Sequence, residues 1–299
     1  MKPPVLRSHD RSHLTRLNMA ASSSSIWKQK VDLLQHRCES LCTGTGDDPI
    51  LMKAKTTLQK LKDLSLDETE KFDISCFLNF YSKAILDITF YEENQLVDED
   101  FVCDDALQKV GELIRDLSEP ERLARDAKLH KKAPAIEVEV LECLYWRRGA
   151  LLYMYCQTVG ERECWHLRNP RTFQQCLIDG VSHLMKMLKM QSPLVLNDDV
   201  SFQDLNTATL LSQGIFSDTH VLALMYCGEM CYWGLKYCSD CQSSNTGSEF
   251  GDRSQDKLVA FKDVGENVLE TYISVCEGPL ISQGWNTEKA KTILQFLKY

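Results

Sequence analysis

The segments LECLYWRRGALLYMYCQ, residues 141–157, and VLALMYCGEMCYWGLKY, residues 221–237, decide the fold class. Both are far more apolar than their surroundings, and each is interrupted by charge: Arg147 and Arg148 in the first, Glu229 in the second. Neither therefore offers the run of roughly 18 uncharged apolar residues that a membrane-spanning helix needs. A helix apolar on almost every side must be enclosed by other helices, so the two stretches read as the central helices of a packed bundle.

The flanking sequence supplies the enclosing helices. Trp27, Val31, Leu34, Cys38 and Leu41 recur at helical spacing, as do Leu51, Ala54, Leu58 and Leu61, and then Phe77, Tyr81, Ile85 and Ile88 after Asp73. An acidic turn, VDEDF at 97–101, precedes a fourth stripe of Leu107, Val110, Leu113, Ile114 and Leu117. Ser118, Pro120 and Glu121 have the form of a capping box with Pro in the first turn, which predicts a fresh helix start there. Asn169 and Pro170 open a helix carrying Phe173, Leu177, Val181, Leu184 and Leu188, closed by Ser192 and Pro193. Asp204 opens a short helix that Gly214 ends, and Ser217 with Asp218 caps the second central helix. Val264, Val268, Tyr272 and Cys276 mark a later helix, Gly278 and Pro279 break it, and 287–299 supplies the last.

No useful length of strand-like alternation and no fixed repeat period interrupts this pattern. The expectation is an all-α protein: a single multi-helix bundle domain over residues 25–299 with two apolar central helices. Residues 1–24 read as a disordered N-terminal extension; Lys2, Arg7, Arg11 and Arg16 hint at a transit peptide, but Pro3 and Pro4 spoil an amphipathic helix. The Ser-, Asn- and Gly-rich stretch 239–256 reads as a flexible loop.

A net charge of -9 and a pI near 5.3 argue against a nucleic-acid surface and suit protein partners. The 13 cysteines follow apolar stripes, among them Cys76, Cys143, Cys156, Cys176, Cys227 and Cys276, and read as small buried hydrophobes in a reducing compartment. Cys227, Cys231, Cys238 and Cys241 lie close in sequence, but the first pair belongs to an apolar helix rather than to a zinc knuckle, so no metal is expected. The histidines are scattered, and Gly44-Thr45-Gly46 lacks the glycine and lysine of a phosphate loop, so no catalytic residue and no cofactor is assigned.

At about 100° per residue, Glu139, Glu142, Arg147 and Gln157 share one side of the first central helix, whereas Arg148 lies opposite. Arg148 is expected to be a buried structural charge met by a carboxylate or carbonyls. Glu229 aligns with Asp218 and Lys236, which predicts a narrow wet strip on the second central helix. Asp98, Glu99 and Asp100 are candidate partner-binding residues, because exposed loop charges can steer a basic patch.

LECLYWRRGALLYMYC at 141–156 and SFQDLNTATLLSQGIFSDTHVLALMYCGEMCYWGLKYC at 201–238 resemble a small metazoan family, the Rab-seven-interacting subunits of the Mon/Ccz guanine-nucleotide exchange complex. AILDITFYEENQLVDEDF, LSEPE, VCEGPL and WNTEKAKTILQF agree with it, so the resemblance covers most of 26–299 and departs at 1–18 and 242–256. It implies a non-catalytic cytosolic adaptor of the late-endosomal Rab GTPase (Rab seven) and its Mon/Ccz exchange complex. It further implies support of Rab stability and recruitment to damaged mitochondria in mitophagy. No catalytic residue set comes with the resemblance.

Overall fold

A computed structural model describes residues 27–43, 48–66, 73–103, 105–128, 135–163, 168–195, 204–238 and 252–299. The regular elements among the described residues are all helical, as the periodicity predicts. They are α1 (27–43), α2 (Pro49–Leu66), α3 (Ile74–Asp98), α4 (Ala106–Lys128), α5 (Val138–Glu163), α6 (Pro170–Leu188), α7 (Leu205–Ser212), α8 (Asp218–Cys238), α9 (Asp252–Glu277) and α10 (Glu288–Lys298). A 3-10 turn at Ile281–Gln283 leads into α10. No described helix is long and apolar enough to cross a membrane. Packing divides the chain into two compact units, one from the chain through Glu92 plus Asp116–Ile136, the other from Glu93–Arg115 plus Glu137–Tyr299.

In the first unit, the predicted stripes are the buried ones. Val31 and Cys38 of α1, Leu51, Ala54 and Leu61 of α2, and Phe77, Tyr81, Ile85 and Ile88 of α3 are all at most 1% exposed. Asp48 caps α2 by accepting the amides of Ile50 and Leu51, with Pro49 at the first helical position where its missing N–H costs nothing. Asp73 starts α3 by accepting the Ser75 amide. Trp27 meets Phe77 edge-on at 5.1 Å.

The predicted restart at Ser118 does not occur. α4 runs unbroken from Ala106 to Lys128 with Pro120 inside it. The apolar stripe continues through Leu117, Pro120, Leu123 and Ala124, all buried, and continuity of that face outweighs one missing hydrogen bond. The local capping chemistry is diverted as well: the Glu119 carboxylate accepts from Tyr81 Oη at 2.7 Å and pairs with Lys30 and Arg122.

In the second unit α8 touches α5, α6, α9 and α10, which explains its nearly unbroken apolar surface. Its glycines admit neighbours at close range: a Cβ on Gly228 would lie 2.4 Å from Leu269 Cδ2, and one on Gly234 would lie 2.7 Å from Phe261 Cδ2. α9 begins at Asp252, inside the stretch whose composition predicts a loop, while 239–251 lies outside the described residues. The predicted extension at 1–24 and Cys241 also lie outside them. Two cysteines depart from expectation: Cys143 is exposed and Cys76 is half-buried, while Cys156, Cys176, Cys227 and Cys276 are buried.

Candidate functional site

The acidic turn follows from how α3 ends. The Phe101 amide donates to the Leu96 carbonyl at 2.9 Å and the Asp100 amide to the Val97 carbonyl at 2.9 Å, the paired hydrogen bonds of a Schellman stop. Such a stop needs a left-handed residue, and here Asp100 adopts it at φ 52° where glycine is usual; Phe101 follows at φ 56°. At the end of α7 the same pair of bonds, from Gly214 to Leu211 and from Ile215 to Leu210, uses a glycine at φ 78°. The left-handed residues at 100 and 101 are held by packing: Phe101 is 4% exposed and meets Tyr155 edge-on at 5.5 Å. The result is a rigid corner that drives Phe101 inward and leaves Asp98, Glu99 and Asp100 exposed.

The two arginines of α5 meet different surroundings inside the second unit. Arg148 is 2% exposed and its guanidinium lies 4.9 Å above the Tyr145 ring, with the Lys186 ammonium 5.6 Å from the same ring. Arg147 is covered instead by Glu93, donating Nε–H to its carboxylate at 2.8 Å and pairing again through Nη2. Burial pushes the Glu93 carboxyl above its ordinary range and the Arg147 charge opposes that shift. Glu93 was legible in outline, since it follows Thr89 by four residues and precedes Leu96 by three on the buried face of α3.

Glu229 is the clear correction. It does not lie on a wet strip: it is 3% exposed, accepts from Tyr153 Oη at 3.1 Å and pairs with Lys289 at 2.6 Å. α10 closes over that side of α8 and delivers the lysine from sixty residues away, a partner that helical phase on α8 alone could not reveal. Beside this pair the rings of α5 and α8 stack in sequence, Trp146 on Tyr226 at 5.6 Å, Tyr226 on Tyr153 at 3.8 Å, and Tyr153 on Trp233 at 5.4 Å. They form a seam between the two helices.

The start of α8 carries a serine–histidine–glutamate succession. Ser217 Oγ lies 2.9 Å from His220 Nδ1, His220 Nε2 lies 3.7 Å from Glu142, and Glu142 accepts from Gln191 at 2.5 Å. His220 is 1% exposed, and burial pushes its pKa down against the pull of Glu142. The arrangement ties Ser217, one residue before the helix, to the first turn of α8 and, through His220, to Glu142 of α5. Among the described residues, no group of three or more His, Cys, Asp or Glu side chains could hold a metal ion. At the surface of the second unit stand the three exposed carboxylates of the acidic corner, Asp98, Glu99 and Asp100.

The sequence has close relatives. The family model of RAB7A-interacting MON1-CCZ1 complex subunit 1 matches residues 50–298. The chain is 49% identical to the protein of that name from Mus musculus over 290 residues, covering 94% of this chain and 99% of the relative. It is 48% identical to the Homo sapiens protein over 291 residues, with the same coverage, and 45% identical to the Danio rerio protein over 272 residues, covering 91% and 96%. No solved structure matches it significantly.

Proposed function

Because this chain belongs to the family of RAB7A-interacting MON1-CCZ1 complex subunit 1, we propose that it is a non-catalytic adaptor of a Rab7-type GTPase and its MON1–CCZ1 exchange complex. The observation that carries this reading is the nearly end-to-end match: 94% of this chain aligns with 99% of the mouse relative. The acidic balance and the helical body suit such a role, since a charged corner on a rigid scaffold can steer a basic partner without any chemistry of its own. In this reading the protein is cytosolic, supports the stability of the GTPase, and is recruited with it to damaged mitochondria for autophagic removal. Nucleotide exchange belongs to the partner complex.

The test is reconstitution. Immobilised protein is offered the Rab7-type GTPase locked in its GDP or GTP form, and separately the MON1–CCZ1 pair, and nucleotide release from the GTPase is timed with and without it. Retention of both partners, with no acceleration of release by the chain alone, is the expected result. Retention of neither would replace the adaptor reading with that of a general helical scaffold. Acceleration by the chain alone would make it an exchange factor itself.

A further inference from the structure

We propose that Cys156 and Cys176 form a reversible disulfide when the protein meets a hydroperoxide, joining α5 to α6 at the centre of their interface. The two helices run antiparallel in close register. A Cβ on Gly149 would lie 2.6 Å from Leu184 Cγ, one on Gly180 would lie 3.4 Å from Leu152 Cβ, and one on Gly160 would lie 3.8 Å from Phe173 Cε2. Advancing along α5 while retreating along α6, the pairs are 149 with 184, 152 with 180 and 160 with 173. Cys156 and Cys176 fall in the layer between the last two, and the two sulfurs are within hydrogen-bonding reach.

The environment assigns each thiol a part. Cys176 is 8% exposed, between the exposed Gln175 and the solvent-facing Asp179, and the Cys156 S–H hydrogen bond lowers its pKa. Cys156 is 1% exposed, and burial keeps it protonated. The Cys176 thiolate attacks a peroxide oxygen, the O–O bond breaks, and hydroxide leaves and takes up a proton as water while Cys176 becomes a sulfenic acid. The Cys156 sulfur then gives up its proton and attacks the Cys176 sulfur, expelling the hydroxyl as a second water. Two thiols lose two electrons to one hydroperoxide, and the products are one disulfide and, with hydrogen peroxide, two waters. Exposed Cys143, the other cysteine of α5, serves as the control.

The full chain is reduced, exposed to equimolar hydrogen peroxide, quenched in acid, alkylated after denaturation and digested with trypsin, which cuts at Arg162 and Arg171 between the two cysteines. The expected product is a cross-linked peptide joining Cys156 to Cys176, reversed by dithiothreitol, retained in Cys143→Ser and absent in Cys176→Ser. Unsubstituted protein decides the matter even if that variant does not fold. Full alkylation of Cys156 and Cys176 after Cys143 has been oxidised would overturn the proposal. So would a cross-link from Cys156 to Cys238, the neighbouring buried thiol at the end of α8.

Discussion

Two residues show most directly how single side chains are held against their local preference. Asp100 occupies a left-handed position, at φ 52°, that glycine fills at the end of α7, so its Cβ is a local cost carried by the packing of Phe101. Asp100→Gly should raise stability by about 0.5 kcal/mol, the steric gain partly offset by glycine's greater freedom in the unfolded chain. A higher urea midpoint with an unchanged denaturant slope is the readout. Lys289 plays the opposite part, because it neutralises a carboxylate that is 3% exposed. Lys289→Ala should cost about 1–3 kcal/mol, since it leaves Glu229 buried with one neutral donor, Tyr153. Adding Glu229→Gln should restore most of that loss, and a double-mutant cycle measures the coupling.

At the level of elements, glycines separate helix pairs that touch from helix surfaces that do not. Gly149→Ala places a methyl 2.6 Å from Leu184, which is fully buried, and 3.3 Å from the Leu184 backbone nitrogen. α5 and α6 must then part, at a cost of about 1–3 kcal/mol. Gly111→Ala in α4 meets nothing within 4 Å, so only helix propensity changes and stability should rise by about 0.5–1 kcal/mol. Opposite signs in one thermal-melting comparison are the expected outcome; equal effects would mean that α5 and α6 are not as closely packed as their glycines imply.

Across the whole molecule, charge acts through pH and through the surface. His220 has a folded pKa below its ordinary 6.5, so the unfolded chain binds more protons and stability is lost as pH falls from 6.5 through the folded value. For Glu119, burial favours the neutral form, but hydrogen bonds from Lys30 and Tyr81 outweigh it and hold the carboxyl below its ordinary 4.5. Its contribution is present above 4.5 and is lost as pH falls through the folded value. The first loss belongs to one unit and the second to the other, so His220→Gln should flatten the stability profile just below 6.5, and Glu119→Gln only below 4.5. Glu93, pushed upward by burial, acts with the opposite sign, its contribution being lost as pH rises from 4.5 through the folded value. On the surface, replacing Asp98, Glu99 and Asp100 together by Asn keeps a residue type that tolerates the left-handed position. Folding should change by no more than about 0.5 kcal/mol, whereas association with a basic partner should slow at low salt and converge with the parent at high salt. Identical association rates at low salt would reduce the acidic turn to a connector.

The sequence by itself determined most of the helices and the face most of them bury, though not that α4 continues past Ser118 or that α9 begins at Asp252, because a 3.6-residue period writes burial into residue spacing. Leu51, Ala54 and Leu61, or Phe173, Leu177 and Leu184, are buried where their spacing places them. It also carried family membership, since identity of 45–49% is a property of the string alone. Tertiary structure decided everything that depends on a neighbour from elsewhere in the chain. Whether Pro120 starts a helix or sits within one depended on the face that α4 had to keep covered. Whether Glu229 faces water or a lysine depended on where α10 came to rest, and whether Asp100 could take glycine's conformation depended on Phe101 finding Tyr155. Periodicity reports how much of a helix is covered; only three-dimensional packing selects the side chain that covers it.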